Sequence, residues 1–292
     1  MTYLEGSFSS QQDGIDIATY AWPLPHGAAA RGVVQIAHGL AEHSGRYDRF
    51  ATALNAAGYH VHASDHRGHG RSIHAAPGDF GAPGFAGLQA DVVQLGEQLR
   101  TQHPDLPLVL LGHSMGSFAT QHVLLDHSEL YDAVVLSGST ALDVLAAGMG
   151  DGPVDDLSAF NAPFEHRTGY EWLSRDEAEV DAYVADPLCG FDLPPETLPS
   201  LFAGTERLAD PSALAGIRSE LPILLASGTD DPLAGGGDLI ELLATRYRDA
   251  GVADVEVKLY AQGRHEILNE TNRDEVTADV IAWLDGHLGR QG

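Results

Sequence analysis

From residue 33 onwards, short apolar runs alternate with amphipathic stretches that are long enough to form helices. The amphipathic stretches span residues 46–57, 85–103, 115–127, 237–250 and 273–288. Strands that alternate with helices build βαβ units, whose parallel sheet is covered on both faces. The pattern therefore predicts an α/β fold with a mostly parallel central sheet. The apolar runs predicted to be strands are Val33–Ala37, Tyr59–Ala63, Leu108–Leu111, Ala133–Leu136, Ile223–Ala226 and Val255–Tyr260.

The residues before this pattern predict a β-hairpin. Segments of alternating polarity at Tyr3–Phe8 and Ile15–Tyr20 flank the dipeptide Asp13-Gly14. Such a dipeptide is typical of tight turns, because glycine readily adopts positive φ. A Pro/Gly-rich joint over residues 23–32 then leads into the first parallel strand.

The alternation is interrupted between residues 138 and 221, where the sequence predicts no strand. Within this stretch, residues 139–206 carry 14 acidic but only two basic side chains, together with six of the 15 prolines. A change of composition of this size inside an α/β pattern favours an inserted segment over a separate domain. We therefore predict an α/β core formed by residues 1–138 and 207–292, and an inserted cap, or lid, at residues 139–206.

The chain is strongly acidic, since its 292 residues carry a formal net charge of −26. This charge argues against nucleic acid as a partner, because lysine and arginine are needed to neutralise phosphates. Cys189 is the single cysteine, which excludes an internal disulfide and a zinc–thiolate cluster. The sequence shows no signal peptide and no apolar run long enough to cross a membrane. We expect a cytoplasmic protein without stable membrane insertion, and the sequence indicates no oligomeric state.

The clearest local motif is Gly112-His113-Ser114-Met115-Gly116. It follows the apolar strand that ends at Leu111 and precedes a helical pattern that starts near Phe118. A strand, a sharp turn with small flanking residues and a helix are what a nucleophilic serine requires in a nucleophile elbow. The turn also places Ser114 at a helix N-terminus, where free N–H groups favour a developing anion. We therefore predict that Ser114 is a catalytic nucleophile.

A serine hydroxyl needs a base and an orienting carboxylate, and both follow later strands in the order expected for this architecture. His265 lies in the segment after Val255–Tyr260, and Asp230 and Asp231 lie after Ile223–Ala226. Open α/β sheets place their sites at the carboxyl ends of strands. We predict His265 as the base and Asp231, which precedes a proline, as the acid; Asp230 is the alternative.

Two backbone N–H groups must stabilise the tetrahedral intermediate. One belongs to Met115, which follows the nucleophile, and the other should come from the loop after the first parallel strand. That loop begins His38-Gly39-Leu40, and the glycine lets the chain turn so that the N–H group of Leu40 can face the oxyanion. We predict an oxyanion hole formed by Leu40 and Met115.

Four histidines are dense enough to resemble a metal site: His60, His62, His66 and His69. They fall in a predicted strand and the loop after it, so we expect them to point to different faces, without an acidic ligand to complete a site. The sequence predicts neither a metal nor an organic cofactor.

Several segments together resemble the monoacylglycerol lipase/lysophospholipase family of α/β-hydrolases. The resemblance extends over roughly residues 30–140 and 170–285. In the predicted core it rests on His38-Gly39-Leu40-Ala41-Glu42-His43-Ser44-Gly45-Arg46-Tyr47, Asp65-His66-Arg67-Gly68-His69-Gly70-Arg71-Ser72 and Gly112-His113-Ser114-Met115-Gly116. In the predicted cap it rests on Leu173-Ser174-Arg175, Glu179-Val180-Asp181, Tyr183 and Asp186-Pro187-Leu188.

The resemblance implies an α/β-hydrolase fold and a site in which Glu42, Arg46, His113 and Tyr183 surround the alcohol end of an ester substrate. An ion pair at the entry to a helix is the alternative role for Glu42 and Arg46. Position 268 is leucine, where the mammalian relatives carry a further histidine near the glycerol.

The first part of the predicted cap also departs from those relatives, in which it carries an apolar, membrane-docking helix. Here the segment 139–163 is short, Gly-rich and acidic. We expect its carboxylates to repel an anionic lipid surface; they belong to Asp143, Asp151, Asp155 and Asp156.

These features lead us to expect a serine hydrolase that cleaves small carboxylic esters through an acyl-enzyme on Ser114. The substrates expected are monoacylglycerol- or lysophospholipid-like esters or, in view of the departures, soluble and short-chain esters. Acyl transfer or a cofactor-free haloperoxidase-like reaction on the same triad is the alternative function.

Overall fold

A computed structural model describes residues 3–149 and 158–288 of the chain. Over these residues the chain forms eight strands and nine α-helices, with short 3₁₀ helices between them. The strands are β1 (Leu4–Ser9), β2 (Asp16–Trp22), β3 (Gly32–Ala37), β4 (Tyr59–Ser64), β5 (Leu108–His113), β6 (Ala133–Ser137), β7 (Ile223–Gly228) and β8 (Val255–Tyr260). The helices are α1 (Asp48–Ala56), α2 (Gly84–Gln102), α3 (Met115–His127), α4 (Leu142–Met149), α5 (Glu177–Ala185), α6 (Thr197–Phe202), α7 (Pro211–Leu214), α8 (Asp238–Asp249) and α9 (Arg273–Leu288).

All eight strands lie in one sheet, in the order β1-β2-β4-β3-β5-β6-β7-β8. Strands β3 to β8 are parallel to one another. Strands β1 and β2 form a hairpin, and β2 pairs with β4 in the antiparallel direction. The predicted α/β fold with a mostly parallel sheet is confirmed. The carboxyl ends of the central strands meet at one edge, where Ala37 pairs with Gly112 and His113 pairs with Ser137.

Helices cover both faces of the sheet, as the apolar runs predict. On one face, α1 and α9 pack through side chains such as Leu54 and Val280. On the other, α2, α3 and α8 pack through side chains such as Val92, Val123 and Leu243. The central strands β3, β5, β6 and β7 are buried along their whole length, which explains their continuous apolar sequences.

The connection from β6 to β7 differs from the other connections. Its described residues, 138–149 and 158–222, contain α4 to α7 and short 3₁₀ helices but no strand. The division into a core and a cap at residues 139–206 stays our prediction.

Of the four acidic side chains expected to repel lipid, only Asp143 lies within the described residues. Asp143 in α4 accepts two hydrogen bonds from Arg246 of α8, so its charge is paired. The other three, Asp151, Asp155 and Asp156, lie outside the described residues.

Candidate active site

Ser114 lies at the sharp turn between β5 and α3, at the carboxyl edge of the sheet. Its backbone has φ 51° and ψ −121°, a conformation that is unfavourable for a residue with a side chain. It is held by a hydrogen bond from the Ser114 N–H to the Ser137 carbonyl, while α3 begins at the next residue. The strand, turn and helix predicted from the motif are therefore present.

The two glycines of the motif allow α3 to approach the sheet closely. A Cβ atom on Gly116 would overlap the carbonyl of Ala37 in β3, and one on Gly112 would overlap Thr120 Oγ1 and the Gly116 carbonyl. Larger residues at either position would push the helix away from the sheet and displace Ser114.

His265 and Asp231 are in direct contact, although they come from loops after different strands. His265 Nδ1 lies 2.9 Å from Asp231 Oδ2, and both residues are buried. Asp231 Oδ1 also accepts a hydrogen bond from the Leu233 N–H group at 2.9 Å, which fixes the orientation of the carboxylate. Asp230, the alternative acid, is exposed, so the loop directs only the second aspartate towards His265.

The surroundings of His265 raise its pKa above the usual value. Burial alone would lower this pKa, but the charge of Asp231 and the hydrogen bond that it accepts outweigh the effect. A histidine held in this way can take a proton at Nε2 while Asp231 stabilises the resulting cation.

The two predicted oxyanion-hole residues, Leu40 and Met115, lie in the same pocket as Ser114. Met115 is the first residue of α3. A first-turn N–H group has no acceptor within its own helix, so the Met115 N–H group remains available. The Leu40 N–H group donates no hydrogen bond to any residue within the described part of the chain.

Glu42 and Arg46 form a buried ion pair that continues to Glu266. Arg46 Nη1 lies 2.7 Å from Glu42 Oε2, and Arg46 also makes two hydrogen bonds with Glu266 at 2.5 and 2.7 Å. Glu42 Oε1 accepts hydrogen bonds from the Gly39 N–H group and the Tyr47 hydroxyl. Burial alone would raise the pKa of Glu42, but the Arg46 charge and these contacts lower it to about 2. Glu42 is therefore an anchor of the loop that carries Leu40.

Tyr183 and His113 complete this polar recess, which we define as Glu42, Arg46, His113, Tyr183 and Glu266. The Tyr183 hydroxyl donates to the Ala41 carbonyl at 2.8 Å, and Arg46 lies over the Tyr183 ring at 4.9 Å. The His113 ring lies 4.9 Å from that of His265, and burial lowers the pKa of His113 to about 4. His113 is therefore neutral beside His265.

A second, apolar pocket opens at Ser114. Several of its residues come from the connection between β6 and β7, and the sequence analysis assigned a role to none of those. The pocket, called the apolar pocket below, is lined by Leu40, Ser114, Met115, Phe118, Leu145, Phe160, Trp172, Leu198, Leu201, Phe202 and Leu233.

Trp172 links the apolar pocket to His265. Its ring lies 4.8 Å from the His265 ring, and its carbonyl accepts a hydrogen bond from the His265 N–H group. The next residue, Leu173, accepts in the same way from Glu266. These two main-chain bonds fasten the connection between β6 and β7 to the loop that carries His265.

Glu266 is the polar residue that sequence reasoning missed. Its position directly after the predicted base His265 was the available signal. A glutamate beside a catalytic histidine belongs to no motif, however, so the sequence does not show whether it is a buried ion-pair partner or a surface charge. Only the path of the loop brings it to Arg46, 220 positions earlier in the chain.

The four clustered histidines separate into two pairs. His60 and His62 point to the same face of β4, as residues two apart in a strand must, and both pack near His103. The expectation that all four point to different faces is wrong for this pair. His66 and His69 are buried beside His38, behind the loop that carries Leu40.

Two groups of described side chains bring three possible metal ligands together. They are His43, Asp186 and Cys189, and Asp254, Glu256 and His287. In the first, His43 Nδ1 accepts a hydrogen bond from the Gly45 N–H group, so the proton lies on Nε2 and points to Asp186. That tautomer offers no free lone pair to a cation.

Over residues 3–149 and 158–288, no helix combines the length and the hydrophobicity that a membrane span requires. The sequence matches the family described as "Serine aminopeptidase, S33" over residues 28–272. It is 32% identical to the monoacylglycerol lipase of Mycolicibacterium smegmatis, over 88% of this chain and 89% of that protein. It is 29% identical to human monoglyceride lipase, over 86% of this chain and 80% of that protein.

Solved structures give the same assignment. A thermostable carboxyl esterase from Bacillus coagulans, solved in complex with glycerol, superposes with a TM-score of 0.86 at 28% identity and 99% coverage of both chains. A lipase in an open form superposes with a TM-score of 0.83 at 29% identity, over 99% of this chain and 100% of that chain. The chain therefore belongs to this family of α/β-hydrolases, as a monoacylglycerol lipase-like member.

Proposed function

We propose that the protein hydrolyses carboxylic esters through an acyl-enzyme on Ser114, with His265 as base and Asp231 as orienting acid. At the level that its family supports, the chain is a carboxylic ester hydrolase with the α/β-hydrolase fold. The finer proposal is carried by one observation. Ser114 opens on the apolar pocket, and Trp172 of that pocket packs against a His265 that is bound to Asp231.

In the first half of the reaction, His265 Nε2 takes the proton of Ser114 as Oγ attacks the ester carbonyl. The N–H groups of Leu40 and Met115 stabilise the oxyanion, and their donors need no reorganisation because the backbone already holds them. His265 then gives the proton to the departing alcohol. A water molecule, activated by the same histidine, clears the acyl-enzyme.

The two recesses suggest how an ester is oriented. An apolar acyl group fits the apolar pocket, whereas the alcohol portion faces the side of Glu42, Arg46 and His113, where Tyr183 packs against Arg46. Monoacylglycerols and short-chain esters both have this division into an apolar and a polar end.

The charges beside His265 favour esters over the peptides named in the family description. An aminopeptidase must bind the ammonium group of its substrate, for which a free carboxylate is suited. Glu42 and Glu266 share Arg46 and together with it carry a net charge of −1, but an ammonium group would have to disrupt this buried ion pair to reach either carboxylate.

Replacement of the nucleophile tests this proposal. We expect Ser114→Ala to lower kcat for p-nitrophenyl butyrate by about 10⁴-fold or more, since the residual rate of triad variants comes from binding and the oxyanion hole. Ser128→Ala is the matched control, because Ser128 is also buried but lies at the far end of α3. Urea unfolding should show that both variants are folded.

Covalent labelling supplies a second readout. A fluorophosphonate should add to the peptide that contains Ser114 in the wild type and not in Ser114→Ala. Activity retained in folded Ser114→Ala, or a label on another peptide, contradicts the proposal. Product analysis with an added alcohol separates hydrolysis from acyl transfer, and alanine p-nitroanilide tests for aminopeptidase activity.

A further inference from the structure

Three histidines that take no part in the proposed proton transfers lie behind the loop that carries Leu40. His38, His66 and His69 are at most 1% exposed. The His38 ring lies 4.2 Å from the His66 ring and 5.3 Å from the His69 ring. Buried rings of this kind need hydrogen bonds that compensate for lost water, and two of the three make them.

The contacts of His38 fix its tautomer. Its Nε2 accepts a hydrogen bond from the backbone N–H group of His66 at 2.9 Å, so its proton lies on Nδ1. Nδ1 then donates to the Gly39 carbonyl at 2.7 Å. A second proton on this ring would have to point at an N–H donor.

His69 is arranged in the same way on the other side of Leu40. Its Nε2 accepts from the Ala41 N–H group at 3.1 Å, and its Nδ1 donates to the Arg67 carbonyl at 3.1 Å. Two histidines therefore hold the peptide groups that flank Leu40, one before it and one after it.

The loop needs this support because its conformation is strained. Ala41 has φ 55°, which is costly for a residue with a Cβ atom, by about 1–3 kcal/mol. The Ala41 carbonyl is bound by the Tyr183 hydroxyl and the Gly190 N–H group, and the Gly39 N–H group is bound by Glu42. Of the three N–H groups of Gly39, Leu40 and Ala41, that of Leu40 is the one without an acceptor within the described part of the chain.

We infer that His38 and His69 are positioning residues, which as neutral rings hold the loop so that the Leu40 N–H group points at the oxyanion. The inference rests on the proposed function, because it needs Leu40 as an oxyanion donor. Burial lowers the pKa of both rings, that of His69 to about 3, which favours the neutral form of both at pH 7.

His66 provides a matched control inside the same cluster. Its two ring nitrogens are buried and make no hydrogen bond within the described residues, so its ring contributes packing alone. We compare His69→Phe, which removes the acceptor of the Ala41 N–H group, with His66→Phe, which removes no hydrogen bond made by the ring. His69→Gln restores an acceptor, because its Oε1 atom reaches the position of Nε2.

We expect His69→Phe to lower kcat by about 10²-fold, close to the loss of one oxyanion donor, with KM changed less than about threefold. His66→Phe should stay within about threefold of the wild-type kcat, and His69→Gln should recover most of the loss. Urea unfolding reports which variants fold. If His69→Phe does not fold, His69→Leu and His66→Leu give the same comparison.

Equal kcat values for the His69 and His66 variants overturn the inference, as does a His69→Gln variant no better than His69→Phe. Ser114→Ala, measured in parallel, separates the two ideas. Activity retained in Ser114→Ala refutes the proposed function. Activity lost there, with the two histidine positions equivalent, refutes only the role of His69.

Discussion

The polar recess includes His113 and the apolar pocket includes the next residue, Ser114, but the two are built in opposite ways. In the polar recess, each charged group is bound to another: Arg46 joins Glu42 and Glu266, and Glu42 in turn holds the Gly39 N–H group. The apolar pocket is lined by side chains such as those of Leu198 and Leu201, which have no atoms that can form hydrogen bonds or ion pairs. Removal of one side chain should therefore disrupt the whole polar recess. In the apolar pocket, the effect of a substitution should be proportional to the side-chain volume that it removes.

The two regions also come from different parts of the chain. Most of the polar recess lies in loops at the carboxyl ends of strands, and Tyr183 is its contribution from the β6–β7 connection. The apolar pocket takes Leu145, Phe160, Trp172 and the α6 residues from that connection. The polar recess thus depends mainly on the ends of the sheet strands, while the shape of the apolar pocket depends mainly on the β6–β7 connection.

Removal of Arg46 should break the polar recess with the largest effect. Arg46→Met keeps the length of the side chain but leaves the buried carboxylates of Glu42 and Glu266 unpaired. Breaking a buried ion pair in this way costs about 3–5 kcal/mol. We expect the free energy of unfolding in urea to fall by that amount at pH 7.

Arg49→Met is the control for this prediction. Arg49 pairs with Glu179, but its side chain is 47% exposed, so the free energy of unfolding should change by less than about 1 kcal/mol. Equal losses in the two variants would show that burial of the Arg46 network has no special importance.

The loops at the carboxyl edge of the sheet show how much of a site sequence can predict. That Ser114, His265 and Asp231 lie at one edge was predictable because each follows an apolar strand, and the carboxyl ends of parallel strands share one edge. The choice between Asp230 and Asp231 rested on a proline in the sequence. In the structure it depends on the turn after β7, which directs Asp230 outwards and Asp231 inwards to His265.

The apolar pocket shows where sequence reasoning ends. Leu198, Leu201 and Phe202 lie in a six-residue helix, and nothing in their spacing says which of the site elements they face. Their position depends on long-range contacts of α6, such as the hydrogen bonds from the Phe85 N–H group to Ser200 and from the Thr197 hydroxyl to the Gly78 carbonyl. The same is true of His38 and His69, whose nearness depends on the pairing of β3 with β4.

Acid should lower the free energy of unfolding through the buried histidines near the site, whereas the residues that line the apolar pocket do not titrate in this pH range. His38, His66, His69 and His113 all have lowered pKa values in the folded protein because of burial. Below about pH 6.5 the unfolded chain takes up protons that the folded chain refuses, so stability falls as pH falls. For His69 and His113, whose folded-state pKa values are about 3 and about 4, we expect a loss of up to about 1.4 kcal/mol per pH unit each as the pH falls from 6.5 towards 4.5, measured by urea unfolding.

A variant with one titrating ring fewer sharpens this prediction. In His66→Phe the slope of unfolding free energy against pH should be shallower by one proton, and the change should appear only below about pH 6.5. His265, whose pKa is raised, opposes the trend, since the folded state holds its proton more tightly. A free energy of unfolding that is constant from pH 7 to pH 5 would show that the unfolded and folded chains bind equal numbers of protons.

The smallest effect is expected from a substitution in the apolar pocket, which should change the selectivity for acyl-chain length. Leu201→Ala vacates the volume of about three carbon atoms beside Ser114, which a longer acyl group can fill. For a series of p-nitrophenyl esters we expect the wild type to prefer short chains and the variant to shift towards longer ones. The ratio of kcat/KM for a longer ester to that for butyrate should rise about fourfold for each methylene newly buried.

Leu208→Ala is the control that tests whether this shift in chain-length preference is specific to the pocket. Leu201 and Leu208 are both 2% exposed and come from the same connection, but only Leu201 is among the residues that line the apolar pocket. Both variants should lose stability by a similar amount, about 2–5 kcal/mol, because each leaves a cavity. If Leu208→Ala shifts the chain-length profile equally, selectivity follows general loosening rather than the volume beside Ser114. A wild-type optimum at dodecanoate or longer would instead mean that the pocket already extends beyond Leu201, and the preference for short esters would be wrong.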